Sequence, residues 1–222
     1  MLNYTYGTNG IKITTPNVVN YIDKETILQD IHSAQAVCPD VIIACMHWGE
    51  EYHSLPDKEQ RELANWLLEQ GVTHVIGSHP HVIQPMELRP DGNQQHVIVY
   101  SLGNFISNMS AENTDGGLIF TLQLEKYPLP KPIHPLQNNQ SYSPSLAPSS
   151  LSFPFARVVH CGYTLVWTAR PALTGEKNYI LYPSYFPTDN LSQTARNRLN
   201  IFMKNSRKLL QQHNIGISEN NK

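Results

Sequence analysis

The chain is poor in the features that mark several large classes of protein. It has three cysteines in 222 residues, Cys38, Cys45 and Cys161. Their spacing fits neither a zinc finger nor a redox pair, and an odd number builds no disulfide framework. Cys45 stands inside an apolar run and reads as a small buried hydrophobe. Charge is scarce too, with 16 Lys and Arg against 18 Asp and Glu and a formal net charge of −2. That balance gives no basic footprint for nucleic acid or an anionic membrane. No apolar run approaches the length of a membrane span. The start, Met1 to Tyr6, has neither the basic region nor the apolar core of a signal peptide. No internal repeat is present, and a chain of this length supports one sizeable core.

What is present is histidine at the ends of apolar runs. Gly77-Ser78-His79-Pro80-His81 closes the run Val72 to Ile76. Pro80 cannot continue a strand ladder and favours an extended chain before it. Alternate residues of an extended segment point the same way, so His79 and His81 are expected to face one small volume. The competing reading is a surface turn that happens to hold two histidines.

The order of elements brings a third histidine into play. Asp23 is expected to cap a helix from Lys24 to Val37 with Ile27, Ile31 and Ala34 on one face. Val41 to Cys45 reads as a strand buried on both faces and runs into His47-Trp48-Gly49-Glu50-Glu51-Tyr52-His53. Asp57 and Gln60 suit a capping arrangement, opening a helix with Leu63, Ala64, Leu67 and Leu68 inward and Gly71 at its end. Val72 to Ile76 is then a second strand. Strand, helix and strand make a βαβ unit with parallel strands. Parallel strands bring their carboxyl ends to one edge, where open α/β sheets place ligands. His47 and the His79/His81 pair are therefore expected neighbours.

A third strand, His96 to Tyr100, ends in Ser101-Leu102-Gly103-Asn104-Phe105. Leu118 to Leu124 alternates and reads as a half-buried antiparallel strand. Residues 127–154 are rich in Pro, Ser, Asn and Gln and read as a loop or linker. Strand-like composition returns from Phe155 to Trp167 and from Asn178 to Tyr182. Asp189 is expected to cap a last helix reaching about His213, with a frayed tail after Gly216. The division expected is 1–126 as the main α/β part, 127–154 as the linker, and 155–222 as strands and a helix packing on the same domain.

Imidazole is the commonest side-chain metal ligand and suits Zn, Mn or Fe. His47, His79 and His81 are the candidate metal ligands on this reasoning. Trp48 reads as a packing wall. Glu51 is a candidate to orient an imidazole, against a plain solvated acid. Glu87 and Asn104 stand between a pocket role and holding a loop in place. His53, His74 and His96 default to structural or surface roles. Asp30-Ile31-His32 has a metal-binding string, but on a helix its two side chains diverge, so it is set aside.

Three blocks together resemble a known family: His47-Trp48-Gly49-x-Glu51-Tyr52, Gly77-x-His79-Pro80-His81-Val82-x-Gln84-Pro85-x-Glu87, and Tyr100-Ser101-Leu102-Gly103-Asn104-Phe105. Asn3 to Gly10 adds a fourth, and the resemblance covers about residues 1–107. The family is CapA/PgsA, capsule and poly-γ-glutamate biosynthesis proteins with a calcineurin-like metallophosphoesterase fold. The resemblance implies a layered α/β sandwich with a mixed sheet. It also implies two divalent metals in a complete site, with His47 and His79 on one and His81 on the other. Such metals acidify a water for attack on a phosphorus or acyl centre.

The departures matter as much. The fold's remaining ligands come from an upstream Asp-x-His, a Gly-Asp and an Asn-His element, and this chain has no Gly-Asp or Asn-His. The expectation is a C-terminal portion of a longer protein, lacking N-terminal strands and holding one metal or none. No catalytic residue is assigned. The expected partner is an anionic polymer or phosphoester substrate, with no nucleic acid and membrane association only through a missing N-terminal segment. The resemblance places the full-length protein outside the cytoplasm or in the cell envelope. Two alternatives stand beside a capsule-biosynthesis hydrolase: a non-catalytic polymer-handling scaffold of the same fold, and a generic metallophosphodiesterase.

Overall fold

The computed structural model describes residues 1–92, 94–126 and 156–220. The segment 127–154, expected to be a linker, lies outside the described residues. A first sheet holds β1 (Leu2–Thr5), β2 (Ile43–His47), β3 (His74–Ser78), β4 (Met86–Asp91) and β5 (Gln94–Val99) in the order β1-β2-β3-β5-β4. The pairs β1/β2, β2/β3 and β3/β5 are parallel, and β4 runs antiparallel to β5. The sheet is thus mixed within a layered α/β fold, as expected. Helices α1 (Lys24–Ala36) and α2 (Lys58–Glu69) connect β1 to β2 and β2 to β3, giving two successive βαβ units.

Local chemistry explains the helix limits. Asp23 Oδ1 accepts from the Thr26 N–H at 2.9 Å and starts α1. At α2, Asp57 accepts from the Gln60 N–H at 2.7 Å while Gln60 Oε1 accepts from the Asp57 N–H at 3.0 Å, a full capping box. Gly71, at φ +98°, turns the chain just after the C-cap Gln70. Ile27 and Ile31 of α1 and Ala64 and Leu67 of α2 pack with Ala44, Met46, Val75 and Ile98 on one face of the sheet. Asp30, in the string set aside above, accepts the Tyr4 hydroxyl at 2.8 Å.

A second sheet is built from β6 (Gly116–Lys126), β7 (Ala156–Ala169), β8 (Ile180–Pro183) and β9 (Ser218–Glu219). After β7 come the short helix α3 (Pro171–Thr174) and the long helix α4 (Gln193–His213). Val97, Val99 and Met86 of the first sheet share one core with Leu118, Leu165 and Trp167 of the second and Phe202 and Leu210 of α4. The antiparallel reading of the β6 region holds, since β6 pairs β7 in that sense.

Four local expectations change. Burial on both faces applies to β5 but not to β2, where Ala44 and Met46 are buried and Ile43 and Cys45 only half-buried. The reason is that the second sheet closes over β4 and β5. Strand β4 was unforeseen; it contains Pro90, which it tolerates as the outermost strand. Ser192, not Asp189, caps α4, accepting from the Ala195 N–H at 3.2 Å. The tail is not frayed through Glu219, which pairs Arg207 through both carboxylate oxygens at 2.8 and 2.9 Å and lies in β9.

Candidate metal centre

The carboxyl ends of β1, β2, β3 and β5 meet at one edge, and the motif residues follow them. The His47 and His79 ring centroids lie 4.6 Å apart, and His79 and His81 lie 6.0 Å apart. Backbone bonds stitch the loops together: the Trp48 N–H donates to Ser78 O at 3.0 Å, and the Tyr52 N–H to Pro80 O at 2.7 Å. The ligand atoms of Glu51, His79 and His81 all fall within 4.8 Å of one another.

The two imidazoles do not converge through an extended chain. His79 and His81 adopt φ +109° and +62°, and Tyr52 opposite them adopts +67°. Side chains other than glycine are held there only when the surroundings demand it, and such positions cluster at functional sites. Pro80 between them limits the chain, and the left-handed turns on either side point both rings inward.

Hydrogen bonding decides the state of His81. Asn104 Nδ2 donates to Thr114 O at 2.8 Å, so its Oδ1 faces His81 Nδ1 at 3.0 Å. An amide oxygen can only accept, so Nδ1 carries the proton, and the neutral ring keeps its lone pair on Nε2. That Nε2 looks at Glu51 Oε1, 3.8 Å away. In the neutral ring, Nε2 and the Glu51 carboxylate are both acceptors, an arrangement that a cation between them would satisfy, and two imidazoles with one carboxylate form a donor set suited to Zn, Mn or Fe. The residues present fit a divalent metal.

At His47 and His79 the surroundings favour the neutral imidazole that metal ligation needs. Burial, and then the neighbouring His81, lowers the pKa of His47. Burial and then His47 lower that of His79, partly offset by Glu51. Partial burial and then a hydrogen bond to Glu51 raise the Tyr52 phenol.

Of the remaining predicted residues, Trp48 and Asn104 adjoin this centre, whereas Glu87, His74 and His96 lie elsewhere along the sheet. Trp48 is 2 % exposed and donates its indole N–H to Tyr100 O at 2.9 Å. Glu87 sits on β4 in an ion pair with Arg89, and with it shapes the surroundings of the Tyr100 hydroxyl. His74 and His96 are buried, and His53 pairs with Glu50 at 2.9 Å on the surface.

Two aromatic side chains were missed. Tyr6 lies 4.4 Å from His79 and 5.8 Å from His47 between ring centroids, and Tyr52 stacks on His81 at 6.0 Å. Tyr6 follows the end of β1, so the strand-end logic that singled out His47 applied to it as well.

Comparison with known proteins bears on the first half of the chain. Residues 2–109 match the family described as bacterial capsule synthesis protein PGA_cap. The chain is similar to "PGA biosynthesis protein CapA" of Bacillus subtilis (strain 168), 34% identical over 115 residues, which is 52% of this chain and 29% of that protein. It is also similar to "Capsule biosynthesis protein CapA" of Bacillus anthracis, 36% identical over 81 residues, or 36% of this chain and 19% of that protein. The matched stretch is therefore less than a third of either relative's length. Residues 2–109, just under half of the chain, thus carry the sequence of the bacterial capsule synthesis protein family.

Proposed function

We propose that the chain contributes a divalent-metal site to capsule biosynthesis in the cell envelope, acting by hydrolysis or transfer on an anionic polymer such as poly-γ-glutamate or on a phosphoester. The observation that carries this reading is the facing pair His81 Nε2 and Glu51 Oε1, 3.8 Å apart, with the Nε2 lone pair left free by Asn104. His79, His81 and Glu51 would hold the metal, with His47 beside His79. A metal bound there would polarise an oxygen of the substrate or lower the pKa of a water. Asn104 holds His81 in one tautomer, and Tyr52 holds Glu51. Tyr6, stacked on His47, covers the imidazoles from one side.

Metal analysis of the purified protein tests this. Wild type is expected to retain Zn, Mn or Fe, and His81→Ala to lose it. Near-zero metal in both would sink the reading. The alternative, a non-catalytic polymer-handling scaffold, draws support from Glu51 being the one carboxylate in the cluster among the described residues. Activity that disappears on chelation and returns with Mn or Zn would rule that alternative out.

A further inference from the structure

The segment 104–115 carries Asn104 at one end and Asp115 at the other, and its anchors lie beyond the family match. Arg198 of α4 donates to Asp115 Oδ2 from Nη2 at 2.9 Å and from Nε at 3.2 Å, and Nη2 also reaches Ser110 O at 2.8 Å. Asp115 is 3 % exposed, and the same Oδ2 accepts the Trp167 indole N–H at 3.1 Å. From β7, the Thr168 N–H donates to Asp115 O at 2.8 Å, and the Thr168 hydroxyl donates to Phe105 O. Farther along α4, Asn205 Nδ2 donates to Glu112 and Asn113 at 2.8 and 3.0 Å. Both ends of the segment are thus fastened to the C-terminal half.

The consequence reaches the histidine. Thr114, adjacent to Asp115, offers the carbonyl that sets which way the Asn104 amide points. The amide in turn fixes the proton on His81 Nδ1. An imidazole without such a partner exchanges between its two tautomers, and only one leaves Nε2 free. A buried carboxylate bound by a guanidinium fork is strongly directional, so this anchor resists rotation of the segment.

We infer that Arg198 is a positioning residue for the histidine site: through Asp115 and Ser110 it holds the 104–115 segment so that Asn104 keeps His81 in the Nδ1–H tautomer. Its effect on metal affinity rests on the metal reading proposed above, whereas the tautomer itself does not.

Long-range ¹H–¹⁵N NMR on the full chain after chelation reads which His81 nitrogen carries the proton. Wild type is expected to show Nδ1–H. Arg198→Lys keeps the charge but loses the fork, and is expected to admit the Nε2–H form and weaken Zn²⁺ binding about 10-fold by calorimetry. Asn104→Ala is expected to do the same directly. An unmoved tautomer in folded Arg198→Lys overturns the inference. If that variant does not fold, Thr168→Val loosens the Phe105 end without touching charge, and an unmoved tautomer there overturns it equally. A shifted tautomer in a protein that binds no Zn²⁺ upholds the positioning role and counts against the metal reading.

Discussion

His79, His81 and Tyr52 hold left-handed backbone conformations that a side chain other than glycine resists by roughly 1–2 kcal/mol. The His81 imidazole, stacked on Tyr52, keeps a third of its side-chain surface open, at 34 %. Asn tolerates that conformation better than most residues. His81→Asn is therefore expected to change urea-unfolding stability by less than about 1 kcal/mol while abolishing metal retention. A loss beyond about 3 kcal/mol would make His81 a structural residue instead. This conformation was not legible in the sequence. Pro80 suggested an extended chain, and only the loops around β2 and β5 force the turns. Glu51 was legible as a carboxylate near the site, but its approach to His79 and His81 depends on the Tyr52–Pro80 backbone bond.

Among the elements, the parallel strands and their helices were the most legible part, because apolar runs, caps and Gly71 each act locally. What joins them is less visible. Trp48, at the end of β2, lies across Gly77 of β3 and bonds the carbonyl of Tyr100 after β5. A Cβ at Gly77 would clash with the Tyr100 carbonyl oxygen and lie 2.5 Å from Trp48 Nε1. The obstruction is backbone, which cannot swing aside. Gly77→Ala is expected to cost about 3 kcal/mol or more, read as a lowered urea midpoint with an unchanged slope. A stable Gly77→Ala protein with wild-type midpoint would show that these three strand ends are not interlocked. Strand β4 escaped notice for the opposite reason: Pro90 and the charges around it look like a loop, and only its position at the sheet margin makes them acceptable.

For the whole molecule, a buried histidine links folding to pH. His74 is 1 % exposed and accepts the Val97 N–H on Nδ1 at 3.1 Å. Burial, and then the nearby His96, lower its pKa from 6.5 to about 4. Between these values the unfolded chain binds a proton that the folded protein refuses. Its contribution is therefore complete above pH 6.5 and declines as pH falls toward 4, by about 3 kcal/mol in all. Urea unfolding near pH 7 and near pH 5 should show the decline, and His74→Asn should flatten it. An equal slope in that variant would assign the effect to other groups.

The sequence by itself determined the parallel strands, the two capped helices and the edge at which His47, His79 and His81 gather. These follow from short-range patterns and from the geometry of a βαβ unit, so neighbouring residues suffice to specify them. Tertiary structure alone decided which imidazole nitrogen is free, that Glu51 faces it, and that α4 secures the segment bearing Asn104. Arg198 and Asp115 stand 83 residues apart in the chain. Their contact has no local signal, because it exists only once the second sheet and α4 have closed over β4 and β5.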